Sequence, residues 1–127
     1  MRAWILIATL AGCTATGSSL EERDQARLSG DLAGRTAGEA QSCLAHAGTQ
    51  SLTPIDRRTL ISDRGRTIWV NRLRADCPGL RPTSALIIEP VGDRYCAGDR
   101  IRALEPGMTI PGPICVLGDW TPYRARD

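Results

Sequence analysis

Five residues carry most of the chemistry this chain can be read to have: Cys13, Cys43, Cys77, Cys96 and Cys115. The last four lie 34, 19 and 19 residues apart, with no Cys-x-x-Cys pair, and His46 is the one histidine. Zinc sites bring ligands in closely spaced pairs, so neither a metal nor another cofactor is expected. An even set of thiols in an exported chain reads instead as two disulfides. Of the three possible connectivities, the favoured one joins Cys43 to Cys115 and Cys77 to Cys96. Cys77 closes the clearest strand and Cys96 lies on a return strand, so a bend brings them together. Cys43 and Cys115 then sit on the first and last strands, whose meeting closes a barrel. Sequential Cys43–Cys77 and Cys96–Cys115 is the alternative.

No catalytic constellation stands out. A Ser-His-Asp or Cys-His mechanism has to use His46, which sits between two alanines beside Cys43. No nucleophile-elbow pattern surrounds any serine. Asp56, Asp63, Asp93, Asp99 and Asp119 fall at strand ends beside turn residues. Aspartate caps local backbone there, so turn duty outweighs a paired-carboxylate mechanism. Asp99, within Gly98-Asp99-Arg100, is the one most worth watching. All sixteen basic residues are arginine, against fourteen acidic ones. The formal net charge of +2 gives no field suited to nucleic acid. Between Arg57 and Arg102 the balance is locally positive. There Arg66, Arg72 and Arg74, on or beside the clearest strand, are candidates for binding an anionic lipid headgroup or wall polymer. A solvated outer face is the competing and stronger reading of them.

These residues sit on a chain with a distinctive start. Met1-Arg2 gives a positive end, Ala3 to Ala11 is apolar except for Thr9, and Leu10-Ala11-Gly12-Cys13 follows. Charge, short apolar run and small residues are the layout of a secretory signal. The run is about half of what a bilayer span needs. Leu-Ala-Gly-Cys resembles a bacterial lipobox. The resemblance implies cleavage of residues 1–12 and acylation of Cys13, with palmitate among the added chains. Each buried methylene contributes about 0.8 kcal/mol to such an anchor. Thr14 stands where Asp marks inner-membrane retention in enteric bacteria, so the resemblance places the protein on the outer membrane, facing the periplasm.

Residues 13–41 read as a tether, small and polar at first. Ser19 and Glu22 fit a capping box, and Leu20 to Leu28 a short helix stopped by Ser29-Gly30. From Ser42 the pattern changes to short apolar runs broken by Pro, Gly and Asp. Strands are expected at Ser42–His46, Arg57–Ser62, Arg66–Leu73, Ser84–Glu89, Arg94–Ala97, Arg100–Leu104 and, last, Ile114–Leu117. In Arg66–Leu73, Trp69, Asn71 and Leu73 should face one way and Ile68 and Val70 the other. The Leu-Ile-Ile run of Ser84–Glu89 suggests a strand covered on both faces. The fold class is therefore mainly β: a small antiparallel barrel or sandwich over 42–123, stapled by two disulfides.

The run Cys43-Leu44, Trp69-x-Asn71, Cys77-Pro78-x-Leu80, Cys96-x-Gly98-Asp99-x-Ile101 and Cys115-x-Leu117-Gly118-x-Trp120-x-Pro122 resembles a family of small exported proteins from sphingomonads and their relatives. That family is characterised only as a domain of unknown function, so the resemblance implies architecture and no activity. Trp120 stands where its pattern has Phe. The functional expectation is a membrane-anchored periplasmic lipoprotein with a binding or envelope-maintenance role. Its partners would be the membrane, through the anchor, and an envelope component or protein. An inhibitor of a cell-wall hydrolase and a periplasmic hydrolase are the rivals. The Ser-Gly-x-x-Tyr loop of lysozyme-inhibiting lipoproteins is missing from this chain.

Overall fold

The computed structural model describes residues 20–46, 52–89 and 92–126. Cys13 and Ser19 lie outside them. Within them the chain forms one helix and ten short strands, all paired antiparallel. The mainly β, twice-bridged architecture read from the sequence is the one observed.

Helix α1 (Leu20–Leu32) runs four residues past the expected stop. Gly30 stays helical, and the chain leaves the helix at Gly34, whose φ of 73° suits glycine. Leu28 and Leu32, one turn apart, share a face; Leu28 is buried and Leu32 packs beside it. That contact explains why a weakly apolar helix persists. Strand β1 (Arg35–Ala37) follows directly. A helix and a strand thus lie within the stretch read as tether, ahead of Ser42.

Five strands make the main sheet, in the order β1, β10 (Trp120–Ala125), β5 (Thr67–Arg72), β4 (Thr59–Asp63), β3 (Thr53–Pro54). The β4–β5 hairpin turns at Asp63–Gly65, where the Asp63 carboxylate accepts the Gly65 N–H at 2.9 Å. The side-chain alternation expected for β5 is present. Ile68 and Val70 join Leu28, Ile55 and Ile61 under α1. Trp69 and Leu73 join the larger core on the other face, with Leu60 and Trp120.

That larger core is closed by two smaller sheets. β6 (Ala85–Glu89), β8 (Arg100–Leu104) and β9 (Cys115–Val116) form one; β2 (Cys43–Ala45) pairs β7 (Arg94–Cys96) in the other. Ile101, Ala103, Cys115 and Leu117 come in from the first, Leu44 and Tyr95 from the second. The molecule is layered: helix, main sheet, small sheets.

Three expectations are corrected. First, the bridges are Cys43–Cys96 and Cys77–Cys115, neither the nested pairing nor the sequential one. β7 does not stay beside β6. It leaves to pair with β2, setting Cys96 directly opposite Cys43. The bend after β5 instead meets β9, where Arg74 N–H donates to Val116 C=O at 3.1 Å. Second, the last strand is β10, not Ile114–Leu117. A proline inside a run argues against a central strand. Here the Pro122 C=O accepts the Gly38 N–H just beyond β1, so the missing donor of Pro122 faces the end of that short neighbour and leaves the β5 ladder intact. Third, β6 is an edge strand and is not covered on both faces. Ile87 is 39% exposed, and Leu86 and Ile88 are only partly buried.

Candidate functional site

Arg66, Arg72 and Arg74 do not form one patch. β5 lies between them, and at about 3.3 Å per residue Arg66 is roughly 20 Å or more from the other two. Arg66 sits at the hairpin tip, where the Arg35 guanidinium donates to its carbonyl at 2.9 Å. Arg72 and Arg74 lie at the opposite end of the sheet, and the same end holds Arg58. The Arg58 Nε donates to the Leu73 carbonyl at 3.0 Å and its terminal nitrogen to that of Arg74 at 3.3 Å. Arg72 reaches the Thr59 hydroxyl at 3.4 Å. Arg74 lies against Gly98, its guanidinium 3.7 Å from where a Cβ would be.

That Arg58, Arg72 and Arg74 share one end of the main sheet follows from hairpin geometry. Pairing about the Gly65–Arg66 step sets Thr59 opposite Arg72, which brings Arg58 beside Leu73. The turn read from the sequence at Asp63-Arg64-Gly65 would instead set Thr59 opposite Trp69, so the sequence pointed to the hairpin but not to this register. Among the described residues no carboxylate pairs with any of the three arginines. Asp76 and Asp119 are nevertheless exposed in the neighbouring loops. Planar guanidinium groups with free N–H donors can hold a phosphate or carboxylate by paired hydrogen bonds. They bring no nucleophile and no general base.

The other watched residues do structural work. Buried Asp99 accepts the Cys96 N–H at 2.8 Å and holds the Gly98 bend. Buried Asp56 accepts the Arg58 N–H at 2.7 Å and a hydrogen bond from the Gln25 side chain on α1. His46 is exposed. Its ring stacks obliquely on Tyr95 with centroids 4.0 Å apart, and the His46 backbone N–H donates to the Asp93 carbonyl at 2.9 Å. Burial pushes the Tyr95 hydroxyl above its usual pKa of 10, partly opposed by the Arg64 charge. Among the described residues no three His, Cys, Asp or Glu side chains come together as a metal site. No described helix is long and apolar enough to cross a membrane.

Two apolar surfaces were not singled out from the sequence. One is the outer face of the β6–β8–β9 sheet. A shallow groove of about 110 Å³ there is lined by Ile87, Glu89, Arg100, Arg102 and Ile114. The Arg102 Nε is buried beside it without a hydrogen-bond partner. The second is the loop between β8 and β9. Pro106 to Gly118 contains no charged residue, and Met108 and Ile110 are 54% and 78% exposed. They line a hollow of about 200 Å³ against Pro78 and Gly79. The absence of charge over thirteen residues was the signal that could have found it.

No family model, no curated protein and no solved structure matches this chain.

Proposed function

We propose that this protein is a lipid-anchored lipoprotein of the cell envelope, facing the periplasm, whose role is binding and not catalysis. The observation that carries the anchor is the pairing of Cys43 with Cys96 and Cys77 with Cys115. It leaves Cys13 as the one cysteine outside a disulfide, at the end of the signal-like segment. The binding role is supported by the arginines at one end of the main sheet, which can hold an anionic group but cannot transform one.

Mass spectrometry of the membrane-extracted protein is the test. The expected result is a mature chain starting at an acylated Cys13, and a Cys13→Ser variant lost from the membrane fraction. An unmodified Cys13, or a mature terminus elsewhere, would overturn the anchor.

A further inference from the structure

We infer that the end of the fold at which α1 begins is a bilayer-docking surface, with Met108 and Ile110 entering the acyl boundary and Arg72 and Arg74 at headgroup level. The occupant is the anionic bilayer leaflet that holds the Cys13 acyl chains, so the inference rests on the lipid-anchor reading.

The direction of α1 is the first support. Gln25 bonds Asp56, beside the end of the main sheet where Arg58 and Arg72 lie. The C-terminal end of the helix leads to Arg35, whose side chain reaches Gly65 and Arg66 at the far end. Leu20 is five residues before Gln25; at about 1.5 Å per residue it projects roughly 7 Å further toward and past the arginine end. Six residues lie between Cys13 and Leu20, and the seven steps they span reach about 25 Å at most. A domain held so closely by that corner presents the same end to its membrane.

The second support is what else occupies that end. A series of direct contacts links the start of α1 to the uncharged loop. Gln25 touches Asp56, the Cys77 N–H donates to the Arg57 carbonyl at 2.7 Å, and Gly112 packs on the Pro78 carbonyl. Beyond Pro78 stand Met108 and Ile110. Single exposed aliphatics are ordinary on protein surfaces. Two within an uncharged stretch are less so; the charge nearest them, Glu105 on the rim of the same hollow, is partnered by Arg81 at 3.8 Å. The loop is also held in place: the Gly112 N–H bonds the Ala103 carbonyl at 2.8 Å, and Cys115 is bridged to Cys77. Aliphatic side chains at the acyl boundary with arginines at headgroup depth is the arrangement of an interfacial anchor. Asp76 and Asp119 share this end and offset part of its charge, so apolar insertion leads and salt alone should not abolish binding.

The test uses the full chain in two forms, acylated and Cys13→Ser, on phosphatidylcholine–phosphatidylglycerol vesicles carrying acyl-brominated lipid. Trp4 lies in the segment lost from the acylated form and is replaced by Leu in the Cys13→Ser form; Trp120 is buried and Trp69 half-buried, so an introduced surface tryptophan reports its own depth. Ile110→Trp should shift to the blue and be quenched in both forms, while Thr36→Trp, on β1 near the far end, should not. In the Cys13→Ser chain, Met108→Asp with Ile110→Asp should lower vesicle partition roughly tenfold or more. Circular dichroism of each variant against the parent checks its fold, and Met108→Trp replaces Ile110→Trp if that variant does not fold. An acylated chain with no quenching at 110, or equal quenching at 110 and 36, overturns the docking surface and leaves the anchor standing. Quenching at 110 in a chain whose native Cys13 proves unmodified sustains the surface and removes the anchor.

Discussion

The main sheet and the β6–β8–β9 sheet meet over one core but are built to different standards. The main sheet is covered on both faces, by α1 and by the small sheets. Its centre holds Trp120, fully buried, with its indole N–H on the Tyr95 carbonyl at 3.0 Å. Asn71, also fully buried, exchanges two hydrogen bonds with Gly118, donating at 2.7 Å and accepting at 3.0 Å. Gly118 allows no side chain there: a Cβ would stand 2.2 Å from the Arg72 carbonyl oxygen. The smaller sheet is covered on one face only. It leaves Ile87 and Ile114 in solvent and one arginine nitrogen buried without a partner. The difference separates the part that specifies the fold from the part free to meet something else.

Truncations should make that contrast largest. Trp120→Ala should cost about 3–5 kcal/mol, whereas Ile87→Ala should stay within about 0.5 kcal/mol. Denaturant titration of both variants measures the gap, and similar losses would dissolve the distinction between the sheets. Next comes the Cys77–Cys115 bridge, the covalent root of the smaller sheet. It closes 38 residues and contributes roughly 4 kcal/mol in the chain-entropy model. Replacing both cysteines by alanine should lower stability by about 2–4 kcal/mol. Hydrogen exchange should then rise first in β8 and β9, while β4 and β5 keep their protection.

Asn71→Leu should cost about 1–3 kcal/mol, because the Gly118 N–H and C=O lose their partners inside the protein. Thermal melts would show it, and an unchanged midpoint would mean that the pair matters little. The smallest effect is a titration. The folded Tyr95 pKa is raised, so the native state holds its phenol proton to higher pH than the unfolded chain does. Stability is therefore unaffected below about pH 10 and falls as pH rises from there through the folded value. Tyr95→Phe should flatten that decline, as alkaline unfolding followed by circular dichroism can check.

The same contrast shows what the sequence made legible. The β4–β5 hairpin could be read because every cue for it is local: alternating Ile68, Trp69, Val70 and Asn71, and a turn at Asp63-Arg64-Gly65. That two disulfides form followed from cysteine parity. Which cysteines pair did not follow, because Cys96 is carried to Cys43 by the register of two three-residue strands too short to announce a partner. β10 was hidden by Pro122, whose tolerance depends on β1 ending where it does. The split among the arginines was within reach, since six to eight strand residues place Arg66 far from Arg72 and Arg74. The exposed face of β6 was not, because a Leu-Ile-Ile run looks alike at an edge and in a core.

The two bridges interlock along the chain, Cys43 to Cys96 across Cys77 to Cys115. Seen as a covalent graph, the stretch from Cys43 to Cys115 has no bond whose scission divides the molecule. A protease cut before Cys77 or after Cys96 leaves its fragments joined by one bridge, and a cut between those two residues leaves them joined by both. Wherever a protease meets the molecule, nicks within this stretch would leave one covalent particle still attached to the chain N-terminal of Cys43. Only cleavage ahead of Cys43 would part the bridged domain from the segment that precedes it.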